Sequence, residues 1–156
     1  MSPSHDSSAL LDTATAVAHA AARELRQHFR TSLILTTKSS SSDLVTEADQ
    51  AAEQAVANAL ASRAPFDGAV GEEGLSKESS TGLYWIIDPL DGTTNFVYGR
   101  KDFAVSVAVI AAESIEDAAC LKGSLLAGVV FAPLRAELYA ASQETPSTCN
   151  GVHIAP

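Results

Sequence analysis

The chain of 156 residues is 46% hydrophobic and 19% charged. That is enough apolar material for one core of ordinary domain size; it leaves no room for a second full domain and excludes a wholly disordered chain. Nineteen acidic residues against ten basic ones leave a formal net charge of −9, which opposes non-specific binding to a nucleic-acid backbone.

Two cysteines, Cys120 and Cys149, are too few for a disulfide scaffold. The start lacks the basic flank and apolar run of a leader, and there is no apolar stretch of about 18 residues. The expected location is therefore cytoplasmic, with no membrane and no nucleic-acid polymer as partner.

Residues 1–8 are polar and are predicted to be a disordered tail, with residues 9–156 forming the folded part. Leu10, Ala14, Val17, Ala21, Leu25 and Phe29 recur at steps of three or four, the stripe of an amphipathic helix. His19, Arg23, Arg26 and Arg30 keep the same spacing on the other side and read as a solvated face. Residues 37–43, a run of Thr, Lys, four Ser and Asp, offer side-chain oxygens that compete with regular backbone pairing and are predicted to be a mobile loop. Val45, Ala48, Ala52, Val56 and Leu60 then define a second helix, ended by Pro65 and Gly68.

Strands follow. Ala69 and Val70 lead into Gly71-Glu72-Glu73-Gly74, and Leu83-Tyr84-Trp85-Ile86-Ile87 is an apolar run of strand length that stops at Asp88-Pro89. Phe103, Val105, Val107 and Val109 alternate with Ala104, Ser106 and Ala108, which predicts a strand with one bulky and one close-packed face. Residues 127–132 and 137–141 flank Pro133-Leu134-Arg135-Ala136 as a hairpin, and residues 111–123 form a loop or short helix between strands. Helices first and antiparallel strands afterwards predict an α+β fold, two helices packed on one face of a mainly antiparallel sheet.

The chemistry lies in the acids. In Asp88-Pro89-Leu90-Asp91-Gly92-Thr93-Thr94-Asn95, Pro89 fixes the backbone and Gly92 permits a sharp turn. Asp88 and Asp91 can then converge with the Leu90 carbonyl and the Thr93 hydroxyl. Clustered oxygen donors of this kind suit a hard cation such as Mg²⁺, which bridges carboxylates to a substrate phosphate. Either dipeptide alone would simply build a turn. Glu72 and Glu73 read equally as solvated turn residues or as one inward and one outward carboxylate. Thr46 and Asp49 have the spacing of a capping box for the second helix, and Lys38 reads as a loop cation able to help hold a phosphate.

Asp43-Leu44-Val45-Thr46, Gly71-Glu72-Glu73 and Trp85-Ile86-Ile87-Asp88-Pro89-Leu90-Asp91-Gly92-Thr93-Thr94-Asn95-Phe96 resemble the ordered motifs of the inositol monophosphatase family. The likeness continues through Gly128-Val129-Val130-Phe131, Glu137-Leu138-Tyr139-Ala140-Ala141 and Asn150-Gly151. It implies the amino-terminal half of the sugar-phosphatase fold and a Mg²⁺-dependent, lithium-sensitive phosphomonoesterase that attacks phosphorus with activated water. It further implies that Glu72, Asp88, the Leu90 carbonyl and Asp91 hold metals, with Asp88 bridging two. Asp49, Glu72 and Thr93 would serve catalysis, and Gly92, Thr93 and Lys38 the substrate phosphate. The partner implied is a small phosphorylated metabolite, inositol-1-phosphate foremost, and a homodimer is left open.

Members of that family continue into a carboxy-terminal half with a Trp-Asp-x-Ala-Ala-Gly type motif, whose aspartate completes the second metal site. No residue here matches that aspartate, and the last aspartate, Asp117, falls in the connection at 111–123. The expectation is therefore an amino-terminal part without its carboxy-terminal half. The alternatives are a phosphatase for histidinol phosphate, fructose bisphosphate or a 3'-phosphoadenosine nucleotide, or an inactive truncated metal-binding module.

Overall fold

A computed structural model describes residues 5–34 and 41–155, without the side chains of residues 30–34 and 41–46. Lys38, residues 37–40 of the loop predicted over 37–43, and the side chains of Arg30, Asp43 and Thr46 lie outside the described residues.

The alanine-rich stripe forms α1, Ser7–Ile34. It starts inside the predicted tail because the Asp6 carboxylate accepts the Ser8 and Ala9 amides at 3.0 and 3.3 Å, capping the first turn. The second helix, α2, spans Ser41–Arg63, so residues 41–43 are helical rather than loop, and Thr46 lies within the helix rather than at its cap. Serines and an aspartate are good first-turn residues, so the polar run extends the helix backwards instead of breaking it. Ala14, Ala18, Ala21, Ala48 and Ala52 are fully buried, and these small side chains let the two helices pack closely.

The strands are β1 (Gly68–Gly71), β2 (Ser76–Lys77), β3 (Leu83–Asp91), β4 (Ala104–Ala111), β5 (Ser124–Ala132), β6 (Glu137–Ser142), β7 (Thr148–Cys149) and β8 (Val152–His153). Short helices α3 (Thr93–Val97) and α4 (Ile115–Ala119) follow β3 and β4. All eight strands form one sheet in the order β2-β1-β3-β4-β5-β6-β7-β8, antiparallel except for the parallel pair β1 and β3. The α+β fold with a mainly antiparallel sheet is therefore present, as is the 133–136 hairpin, where Ala136 adopts a positive φ of 54°.

Strand β3 runs four residues past its predicted end. Pro89 cannot donate to a ladder, and the register to β4 shifts between Asp88 and Asp91, which lets the strand continue through the proline.

Trp85 and Ile87 of β3, Val105, Val107 and Val109 of β4, and Ala127, Val129 and Phe131 of β5 form one core with the helical stripe. Phe29, Phe96 and Phe103 extend it as an aromatic triad with centroids 5.0 to 5.5 Å apart. The polar stripe of α1 is not merely solvated: Arg26 donates to the Pro133 carbonyl at 2.8 Å and sits over Phe131, and the His19 ring lies tilted against the same ring. The other sheet face is open. Leu125, Val130 and Tyr139 are exposed on it, while α4 covers its Tyr84 and Ile110 end. No described helix is long and apolar enough to cross a membrane.

Candidate active site

Three elements deliver the acids. Strand β3 carries Asp88 to the sheet end, where its Oδ1 accepts the Leu90 amide at 3.1 Å and so folds the side chain over the turn. Gly92 then takes φ 91°. A Cβ there would lie 3.0 Å from the Asp102 carbonyl oxygen and 3.2 Å from the Phe103 Cα, so only glycine fits both the conformation and the space. Helix α3 begins directly after it. Asn95 donates to the Asp102 carbonyl at 2.7 Å and Phe96 is buried in the aromatic triad, so the helix is pinned on both sides. Asp102 in turn pairs with Arg135 from the 133–136 hairpin.

The parallel pairing of β1 with β3 sets Gly71 opposite Ile87, and the Glu72 amide donates to the Ile87 carbonyl at 3.2 Å. Glu72 therefore stands beside Asp88, near enough for its carboxylate to disfavour the charged form of Asp88. Helix α2 contributes Asp49, which is only 8% exposed.

Electrostatics ties these groups together. Burial first, then the charges of Glu73, Asp88, Glu72 and Glu53, push the Asp49 carboxyl up to about 6. Burial first, then Glu72 and, more weakly, Asp91, push Asp88 up to about 6, against the opposing pull of the Leu90 amide. Crowded carboxylates disfavour one another's charged form, a state that a divalent cation relieves.

Asp49, Glu72 and Asp88 are thus brought together, with Asp91 at the rim. Glu72 and Glu73 are both exposed rather than one inward and one outward, yet both charges act on Asp49. The Leu90 carbonyl accepts the Thr93 hydroxyl at 3.2 Å, which joins two predicted site groups. Asp117 is elsewhere, on α4, where it accepts from the capping Ser114 near the Tyr84 end of β3.

Among the described residues no three His, Cys, Asp or Glu side chains already form a metal cage. The donors are nevertheless all oxygen and mostly anionic, which suits Mg²⁺ and its retained waters. A cleft of about 650 Å³ opens beside Glu72 and Asp88 along the uncovered sheet face, lined by Val70, Ile86, Ser106 and Leu125. Sequence reasoning missed Glu53 and Asp102. The first was visible as the residue one helical turn after Asp49; the second carried no local signal.

A model of the inositol monophosphatase family matches residues 6–156. The chain is 39% identical over 125 residues to the Nus factor SuhB of Pseudomonas aeruginosa, covering 78% of this chain and 42% of that protein. It is 30% identical over 145 residues to inositol monophosphatase 1 of Bos taurus, covering 90% of this chain and 49% of the relative. The crystal structure of inositol monophosphatase II from Staphylococcus aureus aligns with a TM-score of 0.76 at 27% identity, covering 95% of this chain and 52% of that one. The chain thus spans about half the length of these relatives or less. The match runs through both long helices, the sheet and every acid described above, which a shared turn motif could not produce, and the chain belongs to the inositol monophosphatase family.

Proposed function

We propose that this chain carries the metal-binding side of a Mg²⁺-dependent phosphomonoesterase acting on a small phosphorylated metabolite, inositol-1-phosphate foremost. The observation that supports it best is the crowding of Asp49, Glu72 and Asp88 from three separate elements, close enough to raise Asp49 and Asp88 to about 6. Neighbouring carboxylates, one of them buried, are normally kept apart or paired with cations, so assembling them is a cost that a bound cation offsets.

In this reading Glu72, Asp88, the Leu90 carbonyl and Asp91 hold the cation. Bound Mg²⁺ supplies neutralisation of phosphate charge and a lowered pKa for water. The chain's own residues do the rest. The Gly92 and Thr93 amides, at the first turn of α3, receive phosphate oxygens, as unpaired helix-start donors can. Lys38 adds a positive charge for the same group. Thr93 and Asp49 orient the attacking water and take its proton. Attack occurs in line, and no side chain is assigned as a covalent nucleophile.

The same centre would serve histidinol phosphate, fructose bisphosphate or a 3'-phosphoadenosine nucleotide, because the groups named here contact phosphate and water rather than the rest of the ester. Phosphate release is to be measured over that panel with and without Mg²⁺. The expected result is Mg²⁺-dependent release that is lost in Asp88→Asn, with the relative rates over the panel naming the substrate. Release from none of the esters at millimolar Mg²⁺ would overturn the reading.

A further inference from the structure

We propose that Glu53 is a positioning residue: its carboxylate tethers the turn after β1 to helix α2 and thereby fixes where Glu72 stands relative to Asp88. Glu53 Oε2 accepts the Leu75 amide at 3.2 Å, a contact across 22 residues of sequence. The turn it grips is short and closed. The Gly71 amide donates to the Leu75 carbonyl at 2.7 Å, and the Glu72 amide to the Ile87 carbonyl at 3.2 Å. Glu72 and Glu73 therefore lie between two anchored points, one on the sheet and one on α2.

The space at Gly71 is shaped for this arrangement. A Cβ on Gly71 would come within 3.3 Å of Glu53 Oε2 and 2.8 Å of the Leu75 Cβ, so the missing side chain leaves the carboxylate its approach. Glu53 lies one helical turn beyond Asp49, so a single helix carries one site carboxylate and anchors the turn that presents another.

The inference rests on the proposed cation site, and its test separates the two. Parent, Glu53→Gln, Glu53→Asp and Glu53→Ala chains are compared by amide hydrogen exchange at Leu75 and Glu72 and by Mg²⁺ calorimetry. Glutamine keeps the acceptor and loses the charge; aspartate keeps the charge and is one methylene too short. In Glu53→Ala, exchange at both amides should rise roughly tenfold and Mg²⁺ affinity should fall about five- to tenfold, the scale of one lost hydrogen bond. Glu53→Gln should stay within about threefold of the parent on both readouts, and Glu53→Asp should behave like alanine. If aspartate matches the parent while glutamine matches alanine, the residue acts by charge and the tether is wrong. Unchanged exchange at Glu72 in the alanine and aspartate variants would equally overturn it. A parent chain that takes up no Mg²⁺ would sink the functional reading alone, because the exchange rates still decide the tether. Should the alanine chain fail to fold, the glutamine and aspartate pair decides it.

Discussion

The Thr93 hydroxyl donates to the Leu90 carbonyl at 3.2 Å across the Gly92 turn, so two groups expected to serve water and metal separately hold each other in place. A carbonyl oxygen has a second lone pair, and the hydroxyl oxygen keeps its own acceptor capacity. Thr93 can therefore bond Leu90 and orient a water at once. Thr93→Ala should lower turnover by one to two orders of magnitude, leave Mg²⁺ affinity within about threefold, and cost about 1 kcal/mol of stability. Asp91→Ala should weaken both affinity and turnover. Single-turnover kinetics beside calorimetry makes the comparison, and unchanged turnover in Thr93→Ala would remove that residue from the mechanism.

Glycine substitutions divide by the space around them. Gly92 and Gly74 both have positive φ, 91° and 117°. At Gly92 a Cβ meets the Asp102 carbonyl and Phe103, whereas at Gly74 nothing lies within 4 Å. Gly74→Ala should cost about 1 kcal/mol from backbone strain alone, and Gly92→Ala about 2 to 4 kcal/mol. Urea unfolding of the two variants measures this directly. Equal losses would mean that the Gly92 turn yields without resistance.

Asp49 and Asp88 bind their protons more tightly folded than unfolded, at about 6 against an ordinary 3.8. The native state therefore holds more protons between those values, and the contribution of these two groups to stability falls as pH rises from about 4 to about 6. Above about 6 the penalty is complete. Asp49→Asn should consequently gain stability relative to the parent at pH 7.5, by about 1 to 2 kcal/mol after allowance for solvent screening, and gain almost nothing at pH 4. The same substitution should weaken Mg²⁺ binding, and binding by the parent near pH 6 should release protons. Melting curves at the two pH values, with calorimetry in buffers of different ionisation enthalpy, test both statements. A parent more stable than Asp49→Asn at pH 7.5 without Mg²⁺ would contradict the electrostatic reading.

The parts legible in the sequence were those written in local periodicity. The stripe from Leu10 to Phe29, the apolar run from Leu83 to Ile87 and the alternation from Phe103 to Val109 each encode one element and its buried face. The acids at 88 and 91 were legible because turn chemistry and donor type coincide within a few residues. What escaped depends on partners distant in sequence. The extension of β3 through Pro89 needs the shifted register with β4. Arg26 looks like any solvated cation until the hairpin brings the Pro133 carbonyl to it. The position of Glu53 one turn after Asp49 is legible, but its bond to Leu75 is not until the turn after β1 is folded against α2, and Asp102 acquires meaning only through Asn95 and Arg135.

Adjacent valines in β5 make the last contrast. Val105, Val107, Val109, Val129 and Phe131 all lie beneath α1. Only the alternate residues face outward: Val129 is 2% exposed and Val130 43%. Val129→Ala should therefore cost about 2 to 3 kcal/mol, through lost burial and the cavity left under the helix. Val130→Ala, on the open face, should cost less than about 1 kcal/mol. Val130→Thr, which keeps the β-branch, should be close to neutral. Denaturant midpoints of the three chains give the answer. A loss at Val130 as large as at Val129 would mean that the outer face is covered in solution, since cover would have to come from outside the sheet and helices described here.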